Sequence, residues 1–250
     1  MLSIVVPMAG RGQRFVDAGH VLPKPLIPIH GRPMISVVVA NLTPRAPHRF
    51  VFLVRREHLE AHGLGETLAA SAPGAAIVPV DAITEGAACT VLLARDLLDP
   101  DEPMMIANCD QYIDADIDAY LDALGDADGL IMTMTAHDPK WSFVRRDERG
   151  RVVEVVEKEV VSDEATTGIY NFRRAGDFVA GAEAMIRAEA RVRGEFYVAP
   201  VYTALAARGA RIVCRGVGRD GAGMHGIGTP ADLEAFCASP VSRKAVAAVR

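Results

Sequence analysis

Gly10, Gly12, Arg14 and Lys24 follow closely on a short apolar strand, Ile4-Val5-Val6-Pro7, and their types suit phosphate chemistry. Glycines let backbone N–H groups approach phosphate oxygens closely. Arg14 and Lys24, the lysine clamped between Pro23 and Pro25, would neutralise charge as pyrophosphate leaves a triphosphate. Met8-Ala9-Gly10 and Gly12 would then border a nucleoside triphosphate. A plain turn after a strand would account for the two glycines alone, but not for the cations that follow. In this segment the dinucleotide-binding Gly-x-Gly-x-x-Gly pattern is absent, as is the Gly-x-x-x-x-Gly-Lys-Ser/Thr of phosphate loops.

A second constellation closes a later apolar run. Asn108-Cys109-Asp110 follows Met104–Ala107. A carboxylate at the carboxyl end of a sheet strand faces the crevice where α/β proteins bind ligands. Asp110 there would hold Mg²⁺ against a triphosphate, since magnesium takes one or two carboxylates plus phosphate and water. The plainer reading of Asp110 is a turn residue. Asp114 and Asp116 form an Asp-x-Asp, but their placement suits the start of a helix, where acidic residues complement the dipole.

The elements that must position these groups follow from the apolar pattern. Strands are expected at 2–7, 50–54, 75–80, 103–107 and 129–135, and helices near 33–42, 57–70, 87–98 and 116–124. This alternation predicts an α/β sheet, parallel at least in its first half. The second half changes character. Segments 141–147 and 151–157 flank Asp147-Glu148-Arg149-Gly150, a hairpin signal. Then come a strand at 166–172, helices near 175–190 and 198–208, and a strand at 211–215. The reading is one domain of 250 residues, with a nucleotide-binding half (1–135) and an acceptor-binding half (136–250).

Composition narrows the partners. A formal charge of −5 argues against a general nucleic-acid surface. No apolar run approaches the roughly 18 residues of a membrane span, and nothing at the start looks like a signal peptide, so a cytoplasmic protein is expected. The four cysteines form no Cys-x-x-Cys pair and are read as reduced, mostly buried thiols. His58 and His62 are read as part of a solvated helix face rather than a zinc site. No heptad speaks to the oligomeric state.

The opening strand, the Gly-x-Gly-x-Arg at Gly10–Arg14 and Pro23-Lys24-Pro25-Leu26 together resemble the sugar nucleotidyltransferase family. The resemblance implies a Rossmann-like GT-A type fold: a mixed, mostly parallel central sheet flanked by helices, with a small hairpin-rich acceptor lobe. It implies transfer of a nucleotide from an NTP to a sugar 1-phosphate, with Mg²⁺ as cofactor, giving an activated sugar of the kind used for surface glycans or capsule. Arg14 and Lys24 would be the catalytic cations and Asp110 the metal ligand.

Glu85-Gly86 would border the base, although ordinary helix entry explains them as well. Asn108, Glu157, Lys158, Thr167 and Gly168 would meet the acceptor, Glu157 through its hydroxyls and Lys158 through its phosphate. Gly194-Glu195-Phe196-Tyr197 also resembles a family segment. Two features depart from the pattern. Gly226-Ile227-Gly228-Thr229 has glycine where a second carboxylate is expected, and Trp141-Ser142-Phe143-Val144 lacks a usual Tyr-Gly. The alternatives are a cytidylyltransferase acting on a non-sugar phosphate such as phosphocholine, a glycosyltransferase centred on Asp114 and Asp116, and a non-catalytic nucleotide-binding regulatory module.

Overall fold

The structure is a computed structural model and describes residues 1–249. The first strand, β1 (Leu2–Met8), leads through α1 (Gln13–Asp17) and a 3₁₀ turn (Lys24–Leu26) to the two-residue strands β2 (Pro28–Ile29) and β3 (Arg32–Pro33). Helix α2 (Met34–Leu42) starts directly after Pro33, and its run Val37-Val38-Val39 is buried. Then follow β4 (His48–Arg55), α3 (Arg56–His62), α4 (Leu64–Ser71) and β5 (Ala76–Val80). The single helix expected at 57–70 is broken at Gly63, whose φ of +62° is left-handed. Next are α5 (Ala87–Leu92), which gives way to a 3₁₀ turn at Arg95–Leu97, then β6 (Met104–Ala107), β7 (Gln111–Ile113), α6 (Ile117–Asp122) and β8 (Gly129–Thr135).

The second half opens with the expected hairpin, β9 (Ser142–Arg146) and β10 (Val152–Glu157), and continues into β11 (Glu164–Phe172). Helices α7 (Ala175–Arg187) and α8 (Val201–Ala207) precede β12 (Ile212–Asp220) and β13 (Gly223–Gly226). The described chain ends in α9 (Pro230–Ala238) and α10 (Pro240–Ala247).

The main sheet runs β5-β4-β1-β6-β11-β8-β12-β13-β7, with the β9–β10 hairpin attached through β11. Strands β5, β4, β1 and β6 are mutually parallel, whereas β11 is antiparallel to both neighbours, β6 and β8. The sheet is therefore mixed and mostly parallel, with helices on both faces. Strand β1 shows why it is nearly all apolar. Ile4, Val6 and Met8 join one core with α2 and α4, while Val5 joins another with α5, α7 and α8. A strand covered on both faces has no solvent side to make polar. Among the described residues, no helix is long and apolar enough to cross a membrane.

Candidate active site

The carboxyl ends of β1 and β6 are neighbours in the sheet, and the two sequence constellations meet there. Gly12 takes a left-handed φ of +63° as the chain turns into α1. A Cβ on it would sit 3.3 Å from Lys24 Cβ, so the glycine turn lies against the lysine. Lys24 Nζ donates to Asp110 Oδ2 at 2.7 Å, with the side chains 19% and 28% exposed. Burial alone would pull the ammonium towards neutrality, but Asp110 more than reverses this and holds the lysine pKa above its ordinary value. A cleft of about 220 Å³ is lined by Met8, Gly10, Gly12, Lys24, Asn108 and Asp110 among others. Ala9 is 8% exposed and packs into the core behind it. Arg14 stands exposed on α1 and makes no ion pair among the described residues, yet its charge reaches Lys24.

Asp110 is also held from the carboxyl-terminal side. The Ile227 N–H donates to the Asp110 backbone carbonyl at 2.9 Å. A Cβ on Gly228 would come within 2.5 Å of Asp110 Oδ2, so this glycine keeps the carboxylate's flank clear. Gly226 stands opposite Gln111 in the β13–β7 ladder and brings no carboxylate. Two other aspartates of this region have partners of their own. Asp220 lies 3.4 Å from Lys140 Nζ, and the Asp232 carboxylate accepts at 2.7 Å from the hydroxyl of Thr229, the N-cap of α9. Among the described residues, no three His, Cys, Asp or Glu side chains converge as a metal cluster. The donor set is thus one carboxylate with an open flank. It fits a hard cation that takes the rest of its shell from phosphate oxygens and water.

Where an acceptor is expected, β9 and β10 bring Ser142 opposite Glu157. Glu157 is 9% exposed and accepts a hydrogen bond from the Ser142 hydroxyl. Burial pushes its carboxyl above the ordinary range, against the pull of Ser142. Lys158 follows with a left-handed φ of +59°, and its ammonium donates to the Tyr197 hydroxyl. Gly168, φ +86°, lets Asn108 lie over the β11 backbone, since a Cβ there would fall 2.1 Å from Asn108 Nδ2. Thr167 is fully buried, its hydroxyl engaged by the Met132 carbonyl at 3.3 Å.

Glu85 and Gly86 form the loop before α5. Gly86 has a φ of +135°, and a Cβ on it would strike the Phe196 carbonyl at 2.3 Å. The Glu85 carboxylate lies 2.5 Å from Arg191.

The competing constellations do not assemble. Asp116 caps α6 by accepting from the Asp118 N–H at 2.9 Å, and Asp114 pairs with Lys244 at 2.5 Å. His58 is less solvated than expected, its side chain only 13% exposed. Of the four free cysteines only Cys109 is fully buried, the rest being intermediate, because they lie on partly covered faces. A larger cleft of about 620 Å³ is lined by Arg146, Arg151 and Arg211 beside the β9–β10 hairpin. These arginines are neutralised by Glu164, Asp147 and Asp126 respectively, and the cleft contains none of the expected site residues.

Residues 4–188 match the family described as nucleotidyl transferase. The chain belongs to that family. Among relatives of this nucleotidyl transferase, the bifunctional protein GlmU of Burkholderia mallei is 32% identical over 177 residues, 67% of this chain and 37% of the relative. The chain therefore spans little more than a third of the length of such relatives. Among solved structures, the nucleoside-diphosphate-sugar pyrophosphorylase from Vibrio cholerae RC9 has a TM-score of 0.81 at 26% identity, covering 94% of this chain and all of that one. The inositol-1-phosphate CTP transferase from T. maritima has a TM-score of 0.74 at 18% identity, covering 98% and 95%, and shares the fold.

Two features near the candidate site escaped the sequence. Arg193, at a left-handed φ of +48°, brings a cation whose charge bears on both Glu157 and Tyr197. Its one local signal is the glycine that follows it. The β7–β13 ladder, which seats Gly226 and Gly228 beside Asp110, joins strands of three and four residues from distant parts of the chain.

Proposed function

We propose that the protein joins a nucleoside triphosphate to a sugar 1-phosphate, releasing pyrophosphate and a nucleotide-activated sugar. The observation that carries this reading is the Lys24–Asp110 pair in a glycine-lined cleft at the carboxyl ends of β1 and β6. In the reaction an acceptor phosphate oxygen forms a bond to the α-phosphorus. The bond from that phosphorus to the oxygen bridging the α- and β-phosphates breaks, and its electron pair leaves with that oxygen on pyrophosphate. A phosphate monoester is already an anionic nucleophile near neutral pH, so no side chain has to remove a proton.

The chain's work is positioning two polyanions that repel each other. Lys24 and Arg14 take the triphosphate charge and the Gly10–Gly12 backbone takes its oxygens. Met8, Ala9, Glu85 and Gly86 border the nucleoside. Lys158 takes the acceptor phosphate, with Asn108, Glu157, Thr167 and Gly168 around the rest of the acceptor. Asp110 would hold Mg²⁺, which would neutralise phosphate charge when bound. Residues 1–135 supply the donor side and 136–250 most of the acceptor side. Such a product would serve as a surface-glycan or capsule precursor made in the cytoplasm.

The test is pyrophosphate release from ATP, CTP, GTP, UTP or dTTP with a panel of sugar 1-phosphates and Mg²⁺. Thermal stability with each triphosphate runs in parallel. A ligand at about a hundred times its dissociation constant adds roughly 2.7 kcal/mol to a folded protein. Release with one pairing establishes the reaction. Stabilisation without release from any acceptor would instead identify a nucleotide-binding regulatory module. The panel includes inositol 1-phosphate and phosphocholine, because the T. maritima protein, named for CTP and inositol 1-phosphate, has this fold.

A further inference from the structure

Tyr197 joins the two ends of the site. Its hydroxyl accepts a hydrogen bond from Lys158 Nζ, and that ammonium lies 4.5 Å from the centre of the tyrosine ring. The residue before it is fixed to the base loop. The Phe196 N–H donates to the Glu85 carbonyl at 2.8 Å, and its carbonyl accepts from the Ala88 N–H at 3.0 Å. Gly86 makes this contact possible, since any Cβ there would collide with the Phe196 backbone. The Phe196 side chain is 1% exposed, so the segment is anchored in the core as well.

At the other end, Lys158 is one of four non-glycine residues with a left-handed backbone among the described residues: His30, Lys158, Glu189 and Arg193. Such a conformation persists only where the surroundings impose it. The root of Lys158 is therefore fixed, while its four-carbon stem would by itself leave the ammonium mobile. A cation that must meet a phosphate in one place binds better when its position is set beforehand. An ammonium has three N–H donors, so one can remain on the tyrosine while the others face a phosphate.

We propose that Tyr197 is a positioning residue that holds the Lys158 ammonium for the acceptor phosphate and, through Phe196, ties it to the loop bordering the base. This rests on the acceptor reading of Lys158 given above. The tyrosine acts through the lysine, and the segment Phe196-Tyr197 gives the donor and acceptor ends a common mechanical seat.

The test titrates inorganic phosphate, followed by phosphorus NMR, into wild type, Tyr197→Phe, Lys158→Ala and the double variant. Tyr197→Phe keeps the ring and loses the hydroxyl, and should weaken phosphate binding about tenfold. In the Lys158→Ala background the same change should cost nothing further, because residues that act through one another are not additive. A tyrosine with a purely structural role would weaken both backgrounds alike, and that result overturns the proposal. So does an unchanged dissociation constant in Tyr197→Phe, or phosphate binding that is indifferent to Lys158→Ala. Pyrophosphate release is measured separately. Coupling without release would count against the proposed reaction and leave the tyrosine's role standing.

Discussion

Lys24 Nζ and Asp110 Oδ2 lie 2.7 Å apart although 86 positions separate them in the chain. Parallel pairing of β1 with β6 puts the ends of the two strands side by side, and there the 3₁₀ turn at Lys24–Leu26 and the segment after β6 bring one charge each. Lys24→Ala should reduce pyrophosphate release about a hundredfold, the usual cost of losing one charge-stabilising group. It also leaves Asp110 without its cation, so a lowered melting temperature is expected alongside. Turnover at the wild-type rate in a folded variant would remove Lys24 from the reaction.

Gly228→Ala separates position from charge. The new Cβ would meet the end of the Asp110 side chain, which can swing away, rather than fixed backbone. The backbone should therefore stay in place, while the displaced carboxylate loses its place in the cleft and its contact with Lys24. The expected outcome is at least a tenfold rise in the Mg²⁺ concentration needed for half-maximal rate, with a melting temperature lowered no further than in Lys24→Ala. An unchanged metal requirement would mean that Asp110 is not the metal ligand.

Gly86→Ala should act on the fold itself. The substitution places a Cβ 2.3 Å from the Phe196 carbonyl at a φ of +135°, and neither strain can relax without moving backbone. A loss of about 3 kcal/mol in urea unfolding is expected, at the upper end for single substitutions. Gly10→Ala is the control: its Cβ would meet nothing within 4 Å, and no stability change beyond about 0.5 kcal/mol should appear. Equal costs at both positions would contradict the Gly86–Phe196 contact.

Glu157 predicts a pH dependence. Burial raises its carboxyl above the ordinary value of 4.5, so the folded chain binds this proton more tightly than the unfolded chain. Its contribution to stability therefore falls as pH rises from the ordinary value through the raised one. Glu157→Gln removes the ionisation. The stability of the variant relative to wild type should rise as pH increases past the ordinary value and level off once the raised one is passed. Paired urea titrations across that range read the difference directly, and a flat difference would show that burial does not perturb this carboxyl.

The residues that line the Lys24–Asp110 cleft could be picked out because most of them are local in sequence. Gly10, Gly12, Arg14 and Lys24 sit in one stretch, and an apolar run before Asp110 is enough to read a strand end. What the sequence hid depends on partners far along the chain. Gln111–Ile113 is too short to show a period, and only pairing with Gly223–Gly226 makes it a strand. Gly63 reads as tolerable inside a helix until its left-handed φ is seen. The helices α9 and α10 were missed, although Thr229 and Pro230 carry a plain cap signal for α9. Glu157 and Lys158 read as an acceptor pair only through the family resemblance, and their contacts with Ser142 and Tyr197 across the fold were not legible.

Strand β11 lies between β6 and β8, which precede it in the chain, and hydrogen bonds to both. During synthesis, β6 and β8 must therefore wait with open edges until the chain has grown through Phe172. Pairing of this kind across long stretches of sequence folds slowly, and waiting edges invite pairing with other chains. A fragment cut after Thr135 would keep every donor-side residue named above and still expose those two edges. It should be recovered as aggregate. The amino-terminal half thus carries the glycine and cation motif but depends on the later half of the chain to close its sheet.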